Sequence, residues 1–462
     1  MMPPQPFGAL RSVRWLLPGL GVKRWLILAF AGALLIDNGV SRWFVAEGAH
    51  VGLNEFVDNV LDDYMPLSIL PYVFAGLGAI ALVFGLRQWL AAIIAALAPQ
   101  KKDLVDALLD RSLRRGYKIV AIGGGTGLST LLRGLKRHTT NLTAIVTVTD
   151  DGGSSGRLQK ELGILPPGDI RNCLVALADD EAMVTDLFKY RFNEGEGLSG
   201  HSFGNLFLAA MTGITGNFDT AIKESSRVLN IKGRVLPATL ESVRLCATLR
   251  DGTLVRGETT ISASKVPIDS LSLEPGGVEP LREALEAIRR ADAIVLGPGS
   301  LYTSILPNFL VNGIAEAVAR SSAIKIYICN VMTQPGETDA FAASQHVAAL
   351  FKGAGEHVAD YVVVNEQMPT RLREAYAQEG QIPVEPDRKA LEDLGVRVVG
   401  ASVISETATV RHDPQRLAEV VLRLIDDSVA ERSSFVKLAP PAAAAPTPTP
   451  VPKLPDEREA AR

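Results

Sequence analysis

Lys118 to Gly127, KIVAIGGGTG, is a short β-branched run that ends in a cluster of glycines and opens into LSTLLRGLKR, whose leucines recur at helical spacing. A strand, a tight glycine turn and a helix N-terminus in that order leave backbone N–H groups free to hold an anion. The arrangement constrains the fold to one in which a buried strand feeds directly into a helix, and it reads as a phosphate cradle formed by Gly123, Gly124, Gly125, Thr126 and Gly127. A second run, TAIVTVTDDGGSSG from Thr143 to Gly156, repeats the pattern. It places Asp150 and Asp151 about two dozen residues further on, where a dinucleotide fold holds the carboxylate that binds a ribose hydroxyl. Together the loops predict a nucleotide or nucleotide-sugar ligand.

The first loop alone is a weak signal. With Gly123 and Gly125 as the first two glycines of a dinucleotide fingerprint, Leu128 stands where the third belongs, and the Lys and Ser/Thr of a P-loop are missing. Its weight comes from further polar loops after strand-like runs, because open α/β sheets bind ligands at the carboxyl ends of their strands. After Asp150 and Asp151 come Gly152, Gly153, Ser154, Ser155 and Arg157; the carboxylates suit ribose, base or a divalent ion, and Arg157 suits a phosphate, with an Asx turn and helix cap as the structural alternative. LPPGDIRNCL presents Asp169 as a helix N-cap with Arg171 and Asn172 in the first turn, and capping is compatible with ligand binding there. GHSFGNLF puts His201, Ser202 and Asn205 in a glycine-flanked loop, where His201 is either a ligand donor or structural. Ser202 lies outside any GxSxG elbow, which argues against a hydrolase. LGPGSLYTSILPN offers Gly297, Gly299, Ser300, Tyr302 and Thr303, and NVMTQPGET offers Asn330, Thr333, Gln334 and Glu337. No two histidines stand at i, i+4, and the three cysteines have no CxxC spacing and read as reduced core residues.

The first hundred residues differ in kind. A first apolar span either runs from Trp25 to about Val45 and tolerates Asp37, Asn38 and Arg42 or lies partly in the interface, whereas Met65 to Leu86 carries no formal charge and is long enough to cross a hydrocarbon core of about 30 Å. Glu47, Glu55, Asp58, Asp62 and Asp63 lie between the spans without a single Lys or Arg. Basic residues flank both outer ends, so the positive-inside rule predicts a multi-pass cell-membrane protein with both termini and the soluble domain in the cytoplasm. A cleaved signal peptide leaves Met65 to Leu86 unexplained. Leu90 to Ala98 reads as a separate interfacial helix.

The domain plan is a membrane anchor of two transmembrane helices over residues 1–100, a helical connector over 101–116, an α/β domain over 117–435 and a disordered Pro/Ala-rich tail over 436–462. Within the third, β-branched runs alternate with amphipathic stretches, which predicts a parallel sheet with helices on both faces. Strands are expected at Ala293 to Leu296, Lys325 to Cys329, Tyr361 to Val364 and Val396 to Val399, and helices at Leu281 to Arg290, Asp339 to Lys352 and Thr370 to Gln378. Val235 to Ser262 reads as an inserted β-hairpin around Asp251-Gly252. In 462 residues, 47% hydrophobic and 21% charged, the net charge of −4 carries no sign of the basic excess that a nucleic-acid partner normally brings, so none is expected.

IGGGTGLS, TVTDDGGSSGRL, LPPGDIRNCL, GHSFGNL, LGPGSLYTSILPN and NVMTQPGET, in this order, resemble the gluconeogenesis factor family over about Tyr117 to Ser428. That family is similar to the 2-phospho-L-lactate transferases of deazaflavin cofactor synthesis. The resemblance implies a Rossmann-like α/β domain that binds UDP-glucose or UDP-N-acetylglucosamine without an obligatory cofactor, acts in cell shape and cell-wall synthesis, and has wall-synthesis proteins and a second copy of itself as partners. It implies ligand-binding roles for Tyr376, in AYAQEG, and Arg411, in VRHDP. From the transferase relatives it implies Mg²⁺ at Asp150 and Asp169, and with it the alternative of a Mg²⁺-dependent transferase. The N-terminal hairpin and the tail depart from the compact family pattern.

Overall fold

The computed structural model describes residues 22–44, 69–97, 112–179, 181–406 and 409–438. The chain divides between Arg115 and Gly116 into two compact units. The first is a helical hairpin of α1 (Val22–Phe44) and α2 (Leu70–Leu97), both long and apolar enough to cross a membrane. Glycines seven residues apart on each helix set its packing. A Cβ on Gly32 would stand 2.7 Å from the Gly78 carbonyl oxygen, and one on Gly39 2.7 Å from that of Pro71. The two backbones therefore approach through small residues, while Ile27 and Ile80 point outward at 67% and 68% exposure. The helix predicted separately at Leu90 to Ala98 is the end of α2: no Pro or Gly stands between Arg87 and Leu97 to stop the helix, which runs on to Leu97, two positions before Pro99 in the sequence. Met65 to Ser68, residues 101–111 of the connector and residues 439–462 of the tail lie outside the described residues.

The second unit is built on seven strands: β1 (Ile119–Gly123), β2 (Leu142–Val146), β3 (Arg234–Pro237), then, after an insertion, β7 (Ala293–Leu296), β8 (Ile324–Ile328), β9 (Tyr361–Asn365) and β10 (Arg397–Ala401). They pair in parallel throughout, in the order β3-β2-β1-β7-β8-β9-β10. This is the doubly wound Rossmann order extended by one strand. The inner strands are buried along their whole length, which is why they read as continuous β-branched runs instead of alternating ones. Strands at Ala293–Leu296, Lys325–Cys329, Tyr361–Val364 and Val396–Val399 were expected and lie within a residue or two of the observed ones.

Helices cover the sheet. α3 (Gly125–Leu135) packs on α5 (Gly168–Leu177) and on the long C-terminal helix Pro414–Leu438, while Arg282–Arg289 packs on Ile314–Arg320 on the other side. Between α3 and α5 lies α4 (Gly153–Leu162), and after them come α6 (Glu181–Lys189) and α7 (Phe203–Thr215).

The insertion is larger than a hairpin. β4 (Arg244–Leu249) and β5 (Leu254–Arg256) turn at Asp251-Gly252 as expected, but β6 (Ile268–Glu274) adds a third antiparallel strand on the far side of β4. Val235 to Pro237 belongs to β3 of the main sheet, where Val235 pairs with Ala144, and α8 (Glu258–Ala263) replaces the expected end of the hairpin. A small ladder of β11 (Ile404–Glu406) and β12 (Val410–His412) closes the unit.

Where α3 crosses the C-terminal helix, Gly134 faces the Pro414 carbonyl so closely that a methyl group would overlap it, and Ala418 lies beside it. Gly134→Ala is expected to lower stability by about 1–3 kcal/mol through overpacking, read as a lower urea midpoint, whereas an unchanged midpoint would show that the two helices separate freely.

Candidate functional site

The winding of the chain reverses between β1 and β7, the strands on either side of the switch, and the crevice beyond their carboxyl ends is where such sheets bind ligands. The loop after β1 enters this crevice under tight constraint. A Cβ on Gly124 would lie 2.5 Å from Asp169 Oδ2, and one on Gly127 2.5 Å from the Pro298 carbonyl oxygen, so neither position takes a side chain. Gly125 opens α3 with φ +62. Gly123 ends β1, its carbonyl accepting from the Thr147 N–H at 3.0 Å, and Gly297 donates its N–H to Ile122 O at 2.8 Å.

Above the loop lies a cleft of about 340 Å³. Gly124, Gly125, Thr126 and Gly127 form one wall, Gly299 and Ser300 a second, Asn330, Thr333 and Gln334 a third, and Tyr376 and Arg411 the lip. Side-chain hydrogen bonds fix the rim. Asn330 Nδ2 donates to Gln334 Oε1 at 3.0 Å within the loop after β8, and Gln334 Nε2 donates to Ser300 Oγ at 2.8 Å, so the loops after β7 and β8 hold one another. Thr333 Oγ1 accepts from the Ile382 N–H at 3.0 Å. Tyr376 packs against Val331, Met332, Ile404 and Val410, and its hydroxyl accepts from the Val410 N–H at 3.0 Å. Tyr376 therefore positions the residue before Arg411.

Acidic side chains gather behind the cradle. Asp150 Oδ1 accepts from the Gly152 N–H at 2.9 Å, an Asx turn. Asp151 Oδ1 accepts from the N–H and the hydroxyl of Thr259, at 2.9 and 2.8 Å, and so caps α8. Burial and the neighbouring Asp150 push Asp169 up to about 7, against the pull of the Gly125 N–H and Arg171. Burial, with Asp169 and Asp150 next, pushes Glu258 up to about 9, which keeps it protonated at neutral pH. Glu337 Oε1 accepts from Ser262 at 3.0 Å and Thr303 at 3.2 Å, and burial raises its carboxyl too. Tyr302 is buried beside them. Among the described residues no set of three or more His, Cys, Asp or Glu side chains is arranged around a metal position. Asp150 and Asp169 form the pair that would carry Mg²⁺, which commonly takes one or two carboxylates and completes its shell with water and substrate phosphate.

The GHSFGNL and DDGGSSGRL segments meet each other inside the protein. His201 Nδ1 shares a 2.9 Å hydrogen bond with Ser154, Asn205 Nδ2 reaches Ser154 at 3.1 Å and Ser155 at 3.5 Å, and Ser202 caps α7. Arg157 donates to the Ser199 carbonyl at 2.8 Å, and Gly153 starts α4. Arg171 donates to Ser202 at 2.7 Å and to Asn172 at 2.8 Å, and both Arg171 and Asn172 border a second cavity that also reaches Arg411.

Sequence reasoning missed several participants. Thr130 and Ser304 line the cleft one turn into their helices, beyond the glycine loops that drew attention. His412 also lines it, held neutral by burial with its pKa down at about 4. Glu258 enters the acidic group from the insertion, where no motif marks it.

Fold and cleft together define a doubly wound α/β protein with its candidate site at the switch point. Residues 119–404 match the family of 2-phospho-L-lactate transferase CofD. Gluconeogenesis factors of Bacillus subtilis and Halalkalibacterium halodurans are 50% and 51% identical over 312 and 306 residues, covering 67% and 66% of this chain and 98% and 95% of theirs. A relative in Nostoc sp. is 49% identical over 424 residues, 89% of this chain and 92% of its own, a match too long to be confined to the α/β unit. The crystal structure of a UPF0052 family protein from Bacillus halodurans agrees with a TM-score of 0.65 at 50% identity, over 67% of this chain and 99% of that one. The chain belongs to the gluconeogenesis factor family and carries its CofD domain.

The raised value of Asp169 gives a pH dependence with a definite sign. Because the folded protein holds this proton up to about 7 and the unfolded chain only to 3.8, the contribution to stability is complete at low pH and is lost as pH rises through 7. Asp169→Asn keeps an acceptor for Gly125 and cannot ionise. In metal-free protein it should stabilise by roughly 1–3 kcal/mol more at pH 8 than at pH 5, as read by thermal unfolding; equal effects at both values would show an ordinary carboxylate.

Proposed function

We propose that the cleft binds a UDP-sugar, UDP-N-acetylglucosamine or UDP-glucose, and that the protein acts as a membrane-tethered regulator of cell shape and wall synthesis with no turnover of its own. The observation that carries this reading is the cleft itself. Gly125, Thr126 and Gly127 line it at the start of α3, amide and hydroxyl groups ring it, and Arg411 stands at its lip. A volume of about 340 Å³ lies in the range of small-molecule sites. The cleft's histidine is neutral and its one tyrosine hydroxyl is engaged with Val410, which leaves the walls suited to recognition. The relatives' name supports the family reading, α1 and α2 support the tether, and the acidic stretch between the apolar spans with basic residues outside them supports a cytoplasmic α/β unit.

A Mg²⁺-dependent transferase is the second reading, and the crowding of Asp150, Asp169 and Glu258 favours it. A carboxyl near 7 exchanges protons at physiological pH, and a divalent cation would relieve the repulsion. The two readings part on turnover: metal-dependent product formation lost in Asp169→Asn would establish the transferase.

Calorimetry with UDP-N-acetylglucosamine on the full chain in detergent should show saturable binding. Arg411→Gln should weaken it roughly 10- to 100-fold, the range of a charge-assisted hydrogen bond, and no heat at millimolar ligand would sink the reading. For the tether, the full chain should sediment with membranes while a truncation starting at Tyr117 stays in the supernatant. Equal partition of both would refute it.

A further inference from the structure

Next to the cleft lies a second cavity, of about 280 Å³, whose walls hold five cationic side chains and no Asp or Glu. Arg133 comes from α3, Arg171 from α5, Lys189 from the end of α6, Arg191 from the stretch after it and Arg411 from β12. Four segments of the chain thus deliver five positive charges to one concave place, which is unlike the mixed signs of an ordinary solvated face. Thr126 and Arg411 belong to both cavities.

The hydrogen bonds of Arg171 and Arg191 leave their charge in place. Arg171 gives its two terminal nitrogens to neutral oxygens, those of Ser202 and Asn172, and Arg191 donates to the Gly200 carbonyl. Burial first, then Arg133, Arg171 and Arg411, hold Lys189 below the usual amine range, and only Asp186 pulls the other way. Arg171 is lowered by burial and by Arg191, with Asp169 and Asp150 opposing from outside the cavity walls. Gathering like charges in a partly enclosed space costs free energy that a multivalent anion offsets. Guanidinium forks beside an ammonium match the tetrahedral oxygens of a phosphoryl group.

We propose that this basic cavity is a second ligand site, adjoining the cleft and sharing Thr126 and Arg411 with it, that takes a free phosphoryl-bearing anion of the pyrophosphate or phosphomonoester class. It is independent of which nucleotide sugar, if any, fills the cleft. Lys189 and Arg191 are exposed and border this cavity but not the cleft, so their replacement leaves both the core and the cleft walls intact.

The test is calorimetric titration of pyrophosphate into the full chain in detergent, with sodium chloride of matched ionic strength as the control. Wild-type protein should bind pyrophosphate, and the double variant Lys189→Gln/Arg191→Gln should bind it at least tenfold more weakly while its affinity for UDP-N-acetylglucosamine stays within twofold. Heat reproduced by sodium chloride, or pyrophosphate binding unchanged in the double variant, overturns the proposal. A parallel loss of UDP-N-acetylglucosamine binding also overturns it, because the cavity would then be the seat of the cleft ligand's own diphosphate. Should the wild-type chain bind no UDP-sugar, the pyrophosphate titrations still decide this site.

Discussion

Parallel pairing of β1 with β7, Ile119 opposite Ala293 and Ile122 opposite Leu296, is the constraint on which the α/β unit rests. It puts the first strand in the middle of the sheet and sends the chain outward on one side through β2 and β3 and later on the other through β8, β9 and β10. Every strand then ends at the same edge, and the loops after β1 and β7, pulled apart by helices that depart in opposite directions, cannot close over the gap between them. The gap is the cleft. Its glycines follow from the same constraint: the loop after β1 must pass Asp169 on one side and Pro298 on the other with no room for a Cβ.

Parts of this were legible in the amino-acid sequence because they follow from local chemistry. A strand buried on both faces is an unbroken apolar run, and a backbone squeezed between neighbours must be glycine, so KIVAIGGGTG announced both β1 and the cradle. β3 was not legible: Arg234 to Pro237 is short, ends in proline and runs straight into the insertion, so its pairing with β2 depends on distant residues alone. The third strand of the insertion was hidden for the same reason, since β6 joins β4 after an intervening helix and no tight turn marks the link.

The site was legible as a set of loops more than as a set of roles. Similar runs of Gly, Ser, His and Asn serve two purposes in this molecule. Those after β1, β7 and β8 face the cleft, whereas His201, Ser202 and Asn205 turn inward to hold Ser154 and the start of α7. Composition cannot distinguish a hydroxyl aimed at a ligand from one aimed at a neighbouring loop. Of the cations in the second cavity the sequence marked Arg171 and Arg411, whereas Arg133 and the pair Lys189 and Arg191 belong to no motif and join them only when α3, α6 and β12 are in place.

The contact between Asp151 and Thr259 gives the molecule a modular character. One carboxylate, accepting two hydrogen bonds across 108 residues of chain, fastens the three-stranded insertion to the loop after β2. The neighbouring residue in that insertion is Glu258, so the clasp also sets how many protons the acidic group holds at neutral pH. The strand pairing of the main sheet does not pass through this attachment, although Leu245, Ala247 and Ile261 of the insertion pack into the same core. A lineage could therefore retune the polar face of the insertion and change the acid–base character of the pocket floor while its apolar face and the strand order that supplies the cleft stayed as they are.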